Sequence, residues 1–361
     1  MNKEEGLQFG HKAAGAQQLL LSSSFSLMME TLEDTELCFP QLLNSSCRKK
    51  KRSESEAVLV YIVLSSISLL TATLNLLVVI SISHFKQLHT PTNLLLLSLA
   101  VSDFFVGLLM SFQILLSDGC WFLSDHMCTL HVVLDYIITS ASVGTMVLIS
   151  VDRYVAICDP LHYPNKVTVR GASICTCLCW VCSVLYNSLV IKENFAQPGR
   201  YNSCTGECVV VINYIAGIVD IVLTFIGPVT VIIVLYMRVF AVAVSQARAM
   251  RSHVAALKRQ RSETVFAKKS EMKAARTLGV VVVVFLTCLC PYYCSSLVSQ
   301  NTLFGVTSVP IEIWLFYFSS CLNPVIYAFC YPWFLKSVKI IVTFKILQPD
   351  SFMNVSLVLG K

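Results

Sequence analysis

The sequence predicts an all-α membrane protein, a seven-transmembrane-helix bundle with its N-terminus extracellular. Three observations carry that prediction. Mean hydropathy is +0.70 and only 13% of the 361 residues are charged, which excludes a soluble globular fold. Seven apolar stretches of roughly 20 or more residues are each long enough to cross about 30 Å of hydrocarbon as a helix. Runs such as VVVVFLTCLC at 281–290 and LLLLSLAV at 94–101 lack the alternation of a membrane β-barrel.

In chain order the spans read as Ala57 to Ile82, Thr92 to Leu116, Cys128 to Val151, Ala172 to Ile191, Val209 to Tyr236, Ala275 to Ser299 and Val306 to Cys330. They divide the chain into a tail (1–56), a membrane domain (57–330) with a long third inner loop (238–272), and an amphipathic helix with a short tail (331–361). Orientation follows from the basic residues. The segments after spans one, three and five and the C-terminal tail carry 18 of the 27 Lys and Arg, against two in the segments after spans two, four and six. Those totals put the N-terminus outside. The cluster Arg48, Lys49, Lys50, Lys51 and Arg52 just before span one opposes that assignment, softened by Glu54 and Glu56, and the loop totals prevail.

Residues 1–37 read as disordered or dispensable, because their one apolar piece is broken by serines and lacks the basic lead of a secretory signal. Met28 or Met29 is an alternative start. Asn44-Ser45-Ser46 is a glycosylation sequon on the expected outer face. Of sixteen cysteines, Cys38, Cys47, Cys120, Cys128, Cys204 and Cys208 fall on the side exposed to an oxidising compartment. Cys175, Cys179 and Cys182 share one face of the fourth span, but without a nearby His or carboxylate they read as small apolar packing residues rather than metal ligands.

The residues that suggest function occur in a fixed order. Asn75 lies in span one and Leu99-Ala100-Val101-Ser102-Asp103 in span two. Asp152-Arg153-Tyr154 ends span three, with Cys158-Asp159-Pro160-Leu161 beyond it. Trp180, Pro228, and Cys288 with Pro291 follow in spans four, five and six, and Asn323-Pro324-Val325-Ile326-Tyr327 lies in span seven. Over about residues 55–340 the chain resembles rhodopsin-like G-protein-coupled receptors. Asp103 at mid-span is costly unless it faces a hydrated interior. With Ser142 and Asn323 it looks like the family's sodium and water pocket, an oxygen set suited to a hard cation, and the resemblance implies no other cofactor. Glu271 at the start of span six is positioned as the partner of Arg153 in the family's inactive-state latch. Pro228, Pro291 and Pro324 each remove an intrahelical hydrogen bond and mark places where a helix end can swing. The basic stretch from Arg238 to Arg276 reads either as a solvated inner loop or, with Leu161 as an apolar plug, as a docking surface for a heterotrimeric G protein. The surrounding motifs favour docking.

Asp135 lies seven residues past Cys128, about 10 Å below the outer surface at 1.5 Å per residue. Asp220 lies at a matching depth if the fifth helix enters near Asn213. Two acids at one depth on different helices suit the two ends of a short dication, since amines are protonated at neutral pH. Tyr292, Tyr293, Trp314, Tyr317 and Phe285 offer aromatic walls and cation–π contact. Singly, each aromatic reads more readily as core than as ligand contact, except Tyr317, which matches the family tyrosine that bonds the third-span aspartate.

More narrowly, the chain resembles trace amine-associated receptors of the fish type, on Asp135, Ser45-Ser46-Cys47, Cys204-Thr205-Gly206-Glu207-Cys208 and Tyr331-Pro332-Trp333-Phe334. The resemblance implies disulfides Cys128–Cys208 and Cys47–Cys204, a small-molecule amine ligand, coupling to a stimulatory G protein that raises cAMP, and a place in the plasma membrane of olfactory neurons. An acid at the position of Asp220 resembles detectors of diamines such as cadaverine and putrescine; the alternative is a monoamine or a conventional biogenic amine such as histamine or serotonin. Leu289 stands where the family usually has a tryptophan that acts as activation lever, with Phe285 and Tyr293 as its candidate stand-ins, Leu74 stands where it has glycine and Ser319 where it has asparagine. Rival functions find little support. An opsin needs a span-seven lysine that is absent from 306–330. A transporter would show inverted repeats, and a hydrolase a coherent catalytic cluster. Nothing suggests nucleic-acid binding, and the other expected partner is membrane lipid.

Overall fold

The computed structural model describes residues 35–50, 53–256, 279–280, 282–294, 311–330 and 332–343. Two short strands, β1 (Thr35–Leu37) and β2 (Arg48–Lys50), precede the helices α1 (Glu54–His84), α2 (Pro91–Leu115), α3 (Asp125–Cys158) and α4 (Val169–Val190). Helix α5 runs as Tyr214–Ile221, a π-helical turn Val222–Ile226 and Gly227–Ala256. Helices α6 (Val282–Cys294), α7 (Ile311–Cys330) and α8 (Pro332–Val342) complete the described chain. Five of the described helices, α1 to α5, are long and apolar enough to cross a membrane.

Local chemistry explains where the helices begin. Ser53, Thr90, Ser124 and Thr168 each stand at an N-cap and accept a backbone N–H from the first turn with the side-chain oxygen, satisfying a donor that the helix itself leaves free. Pro91 follows Thr90 at the first helical position, where its missing N–H costs nothing. Asn213 caps α5 by accepting from Ile215, so the fifth span starts at Tyr214 rather than Val209. Residues 209–213 belong to the loop, and Asp220 is the seventh residue of α5.

The core is a contiguous apolar cluster running from Val78 and Ile82 on α1 to Phe316 and Tyr317 on α7. Close helix approach depends on small residues. A β-carbon at Gly107 of α2 would lie 2.7 Å from the backbone nitrogen of Ala72 on α1, and one at Gly144 of α3 would lie 2.3 Å from Cys179 Sγ of α4. Cys179 therefore serves as packing. Buried polar side chains join the helices: Trp180 Nε1 donates to Ser98 Oγ at 3.0 Å, and Asn75 Nδ2 donates to Ser320 O at 3.0 Å.

The tail differs from expectation at its end. Thr35–Leu37 is ordered as strand, pairing antiparallel with Arg48–Lys50, and Lys49 Nζ lies 3.3 Å from Glu36. The basic residues that opposed the orientation thus sit partly in a hairpin with an acidic partner. Residues 1–34 fall outside the described chain. Cys38 bonds Cys120, Cys47 bonds Cys204 and Cys128 bonds Cys208. The last two match the expected pairs, and Cys38–Cys120 is a third link that the sequence left open. Backbone bonds reinforce them: Cys47 N donates to Thr205 O at 2.9 Å, Thr205 N to Ser45 O at 2.7 Å and Trp121 N to Gly206 O at 2.7 Å. Gly206 has φ +99°, and a β-carbon there would press on the Phe39 ring at 2.9 Å, so glycine is needed on both counts. The tail is tied to the loops after α2 and α4. Asn44, the sequon residue, is exposed in its turn.

Candidate ligand site and cytoplasmic polar cluster

The α3, α5, α6 and α7 helices converge below the disulfide-bonded cap. Asp135 on α3 is partly exposed, and its Oδ1 accepts from Tyr317 of α7 at 3.0 Å, the contact expected from sequence. Asp220 on α5 is 8% exposed, and its Oδ1 has no hydrogen-bond partner among the described residues. Among the described residues its Oδ2 has only the Thr224 hydroxyl at 3.5 Å, whose proton goes to the Asp220 carbonyl at 2.7 Å. A buried carboxylate normally collects several donors. Asp220 has almost none.

Aromatic rings line the space between the two acids. Tyr292 and Tyr293 of α6 meet edge to face with centroids 5.2 Å apart, and Tyr293 stacks on Phe225 at 4.5 Å. Tyr293 also shares a 3.0 Å hydrogen bond with Thr224. Trp314 packs on Tyr317 at 6.2 Å. Tyr136, next to Asp135, is in hydrogen-bond contact with Tyr292, and both carboxylates lie within electrostatic range of Tyr136, Tyr292 and Tyr293. Five expected residues, Asp135, Asp220, Tyr292, Tyr293 and Tyr317, thus come together, with Trp314 at the edge. Phe285 is buried in the main core, in the same apolar cluster as Tyr293 and Tyr317. Tyr136 and Thr224 were missed. Tyr136 carries the signal of adjacency to Asp135, and Thr224 that of one helical turn from Asp220.

Deeper in the bundle, Asp103 is buried and accepts from Asn323 Nδ2 at 2.8 Å, with Ser320 beside it. Ser142 is buried on the facing helix and makes no hydrogen bond to Asp103 among the described residues. Leu289, 1% exposed, fills the core where a larger ring was expected, and Ser319 is buried with its hydroxyl donating to Phe316 O at 2.7 Å. Pro291 lies in α6 and Pro324 in α7. The side chain of Tyr327 and all of Glu271 lie outside the described residues.

At the other end of α3, Asp152 is 2% exposed and fully engaged. Its Oδ2 accepts from Arg153 Nε at 2.9 Å, Arg153 Nη2 at 2.6 Å and Thr92 Oγ1 at 2.9 Å. Its Oδ1 accepts from Tyr163 at 2.8 Å. Burial and the Asp152 charge raise the Tyr163 hydroxyl above the usual tyrosine range, against hydrogen bonding from Thr92, so Tyr163 stays a donor at neutral pH. Thr92 and Tyr163 were not legible as parts of this cluster. Tyr154 packs with Ile157 and Val239. Leu161 is 87% exposed, an apolar side chain projecting from the loop. Nearby, Lys166 and His162 hold the exposed Asp159 carboxyl down at about 2.

The model of the 7 transmembrane receptor (rhodopsin family) matches residues 74–327. Trace amine-associated receptor 13c of Danio rerio is 37% identical over 339 residues, covering 90% of this chain and 97% of that receptor. The chain belongs to the rhodopsin family of seven-transmembrane receptors, in its trace amine-associated branch. Trace amine-associated receptor 8a of Rattus norvegicus is 38% identical over 328 residues, 88% of this chain and 95% of that one, and receptor 6 of Homo sapiens 37% over 342 residues, 92% and 97%. The protein is therefore a multi-pass membrane receptor and not an enzyme.

Proposed function

We propose that this receptor binds a protonated amine between α3 and α5, that a short diamine such as cadaverine or putrescine fits best, and that binding activates a stimulatory, olfactory-type G protein that raises cAMP. The observation that carries the diamine reading is the second, under-bonded carboxylate. Asp135 already has Tyr317, whereas Asp220 Oδ1 is buried without a donor among the described residues. One ammonium at Asp135 leaves that deficit in place. A second ammonium relieves it through charge-assisted hydrogen bonds in a desolvated site, while tyrosine rings cover the connecting methylenes. The names of the relatives support an amine ligand.

The buried oxygens of Asp103, Ser142, Ser320 and Asn323 form a donor set that fits an allosteric sodium ion, which would supply positive charge beside Asp103. G-protein docking on the inner face would use Leu161 and the chain around Arg153. Expression in olfactory neurons follows from the resemblance alone. The test is a cAMP reporter assay with monoamines and diamines of rising chain length. Asp135→Ala abolishes responses, and Asp220→Ala removes the preference for diamines while sparing part of the monoamine response. Parent-like responses from both variants would refute the site.

A further inference from the structure

Thr224 and Phe225 of α5 lie in the π-helical turn Val222–Ile226, and Thr224 is one helical turn past Asp220. Gly227 N–H bonds Val222 O, five residues back, and Pro228, which follows, has no N–H to give. This turn therefore carries fewer backbone hydrogen bonds than the helix on either side, and α5 can shift locally there. Thr224, 7% exposed, joins the turn to two other groups. Its hydroxyl donates to Asp220 O at 2.7 Å and therefore accepts from the Tyr293 hydroxyl of α6 at 3.0 Å. The Tyr293 ring stacks on Phe225 with centroids 4.5 Å apart and planes 4° from parallel. One directed chain of hydrogen bonds thus runs from α6 to the residue that carries the second carboxylate, with ring stacking beside it. Leu289 and Phe285 lie one and two helical turns before Tyr293 on the same face of α6, and all three are buried in the main core.

We infer that Thr224 is a positioning residue that couples occupation of Asp220 to movement of α6. An ammonium on Asp220 draws this turn of α5 toward the ligand, and the Thr224–Tyr293 bond makes α6 follow through the column Tyr293, Leu289 and Phe285. The inference rests on the two-carboxylate reading and deepens it: contact with Asp220 becomes an activating event as well as a source of affinity. A diamine uses this path, whereas a monoamine on Asp135 leaves it idle.

The experiment compares cadaverine and pentylamine on the parent, Thr224→Val, Tyr293→Phe, the double variant and Asp220→Asn, at matched surface expression. It reads the maximal cAMP response, and separately the affinity for each amine on membranes uncoupled from G protein. Valine keeps the branched shape of threonine and phenylalanine keeps the stacked ring, so each variant deletes only a hydroxyl. Thr224→Val lowers the maximal cadaverine response about fivefold, the equivalent of one hydrogen bond, and leaves cadaverine affinity and the pentylamine response within about twofold of the parent. Tyr293→Phe does the same, and the double variant loses no more than either single one, because the two hydroxyls act as a unit. Cadaverine affinity that falls in step with the response means that Thr224 only shapes the ligand site, and an equal loss for pentylamine means a general structural role; either overturns the inference, as do additive losses in the double variant. A parent-like cadaverine response in Thr224→Val, with diamine preference still lost in Asp220→Asn, overturns the inference alone. An Asp220→Asn variant that keeps the parent's diamine preference overturns the two-carboxylate reading, and the inference with it.

Discussion

The two ends of the bundle are held by different chemistry. At the disulfide-bonded end, two disulfides and a set of backbone hydrogen bonds tie the tail to the loops after α2 and α4, and a third disulfide ties α3 to the loop before α5. At the other end, among the described residues, Asp152, Arg153, Thr92 and Tyr163 are joined by side-chain hydrogen bonds and an ion pair. Covalent links constrain the cap whatever the ligand does. Hydrogen bonds of about 1 kcal/mol each can exchange partners within a two-state equilibrium. The proposed function would use the first as a fixed frame over the ligand site and the second as a reversible latch.

Breaking the fixed end should have the largest effect. Cys128→Ser, which opens the link from α3 to the loop before α5, is expected to cost about 2–5 kcal/mol and to remove most folded receptor from the cell surface, as read by surface labelling. Next comes the latch. Tyr163→Phe deletes one donor to buried Asp152 without changing ring packing. It should raise ligand-free cAMP by roughly fivefold at most, the value of one hydrogen bond of about 1 kcal/mol, with agonist potency raised in parallel. An unchanged basal level would place Tyr163 outside the latch.

The smallest effect belongs to the exposed Asp159 cluster. The Asp159 carboxyl is held down at about 2 by Lys166 and His162. A depressed acid stabilises the folded state above its unfolded value and loses that contribution as pH falls through the folded one. Stability should therefore be insensitive to this group from neutral pH down to about 4, and decline only between about 4 and 2. Asp159→Asn should leave thermal melting at pH 7 nearly unchanged, because exposed pairs contribute little. A marked loss at pH 7 would make this loop part of the latch.

The same contrast explains what could be read from sequence. The spans were legible because hydrocarbon demands long apolar helices, and Asp103, Asp135, Asp152 and Asp220 because charge at membrane depth is conspicuous. Tyr317 and the Cys47–Cys204 and Cys128–Cys208 pairs were legible through resemblance. The third disulfide was not, because six cysteines on one side allow many pairings and spacing alone does not choose among them. Thr92 and Tyr163 were also hidden. Each is an ordinary polar or aromatic residue until the fold brings it to the Asp152 carboxylate elsewhere in the chain. The start of α5 was misplaced by five residues because 209–212 is apolar, while the Asn213 cap sets the boundary.

The most direct test of the two-carboxylate site is a high-resolution structure of the receptor with cadaverine and its G protein. One ammonium should sit on Asp135 beside Tyr317, and the other should contact Asp220 Oδ1. Cadaverine bound elsewhere, with Asp135 and Asp220 satisfied by protein atoms, would contradict the account.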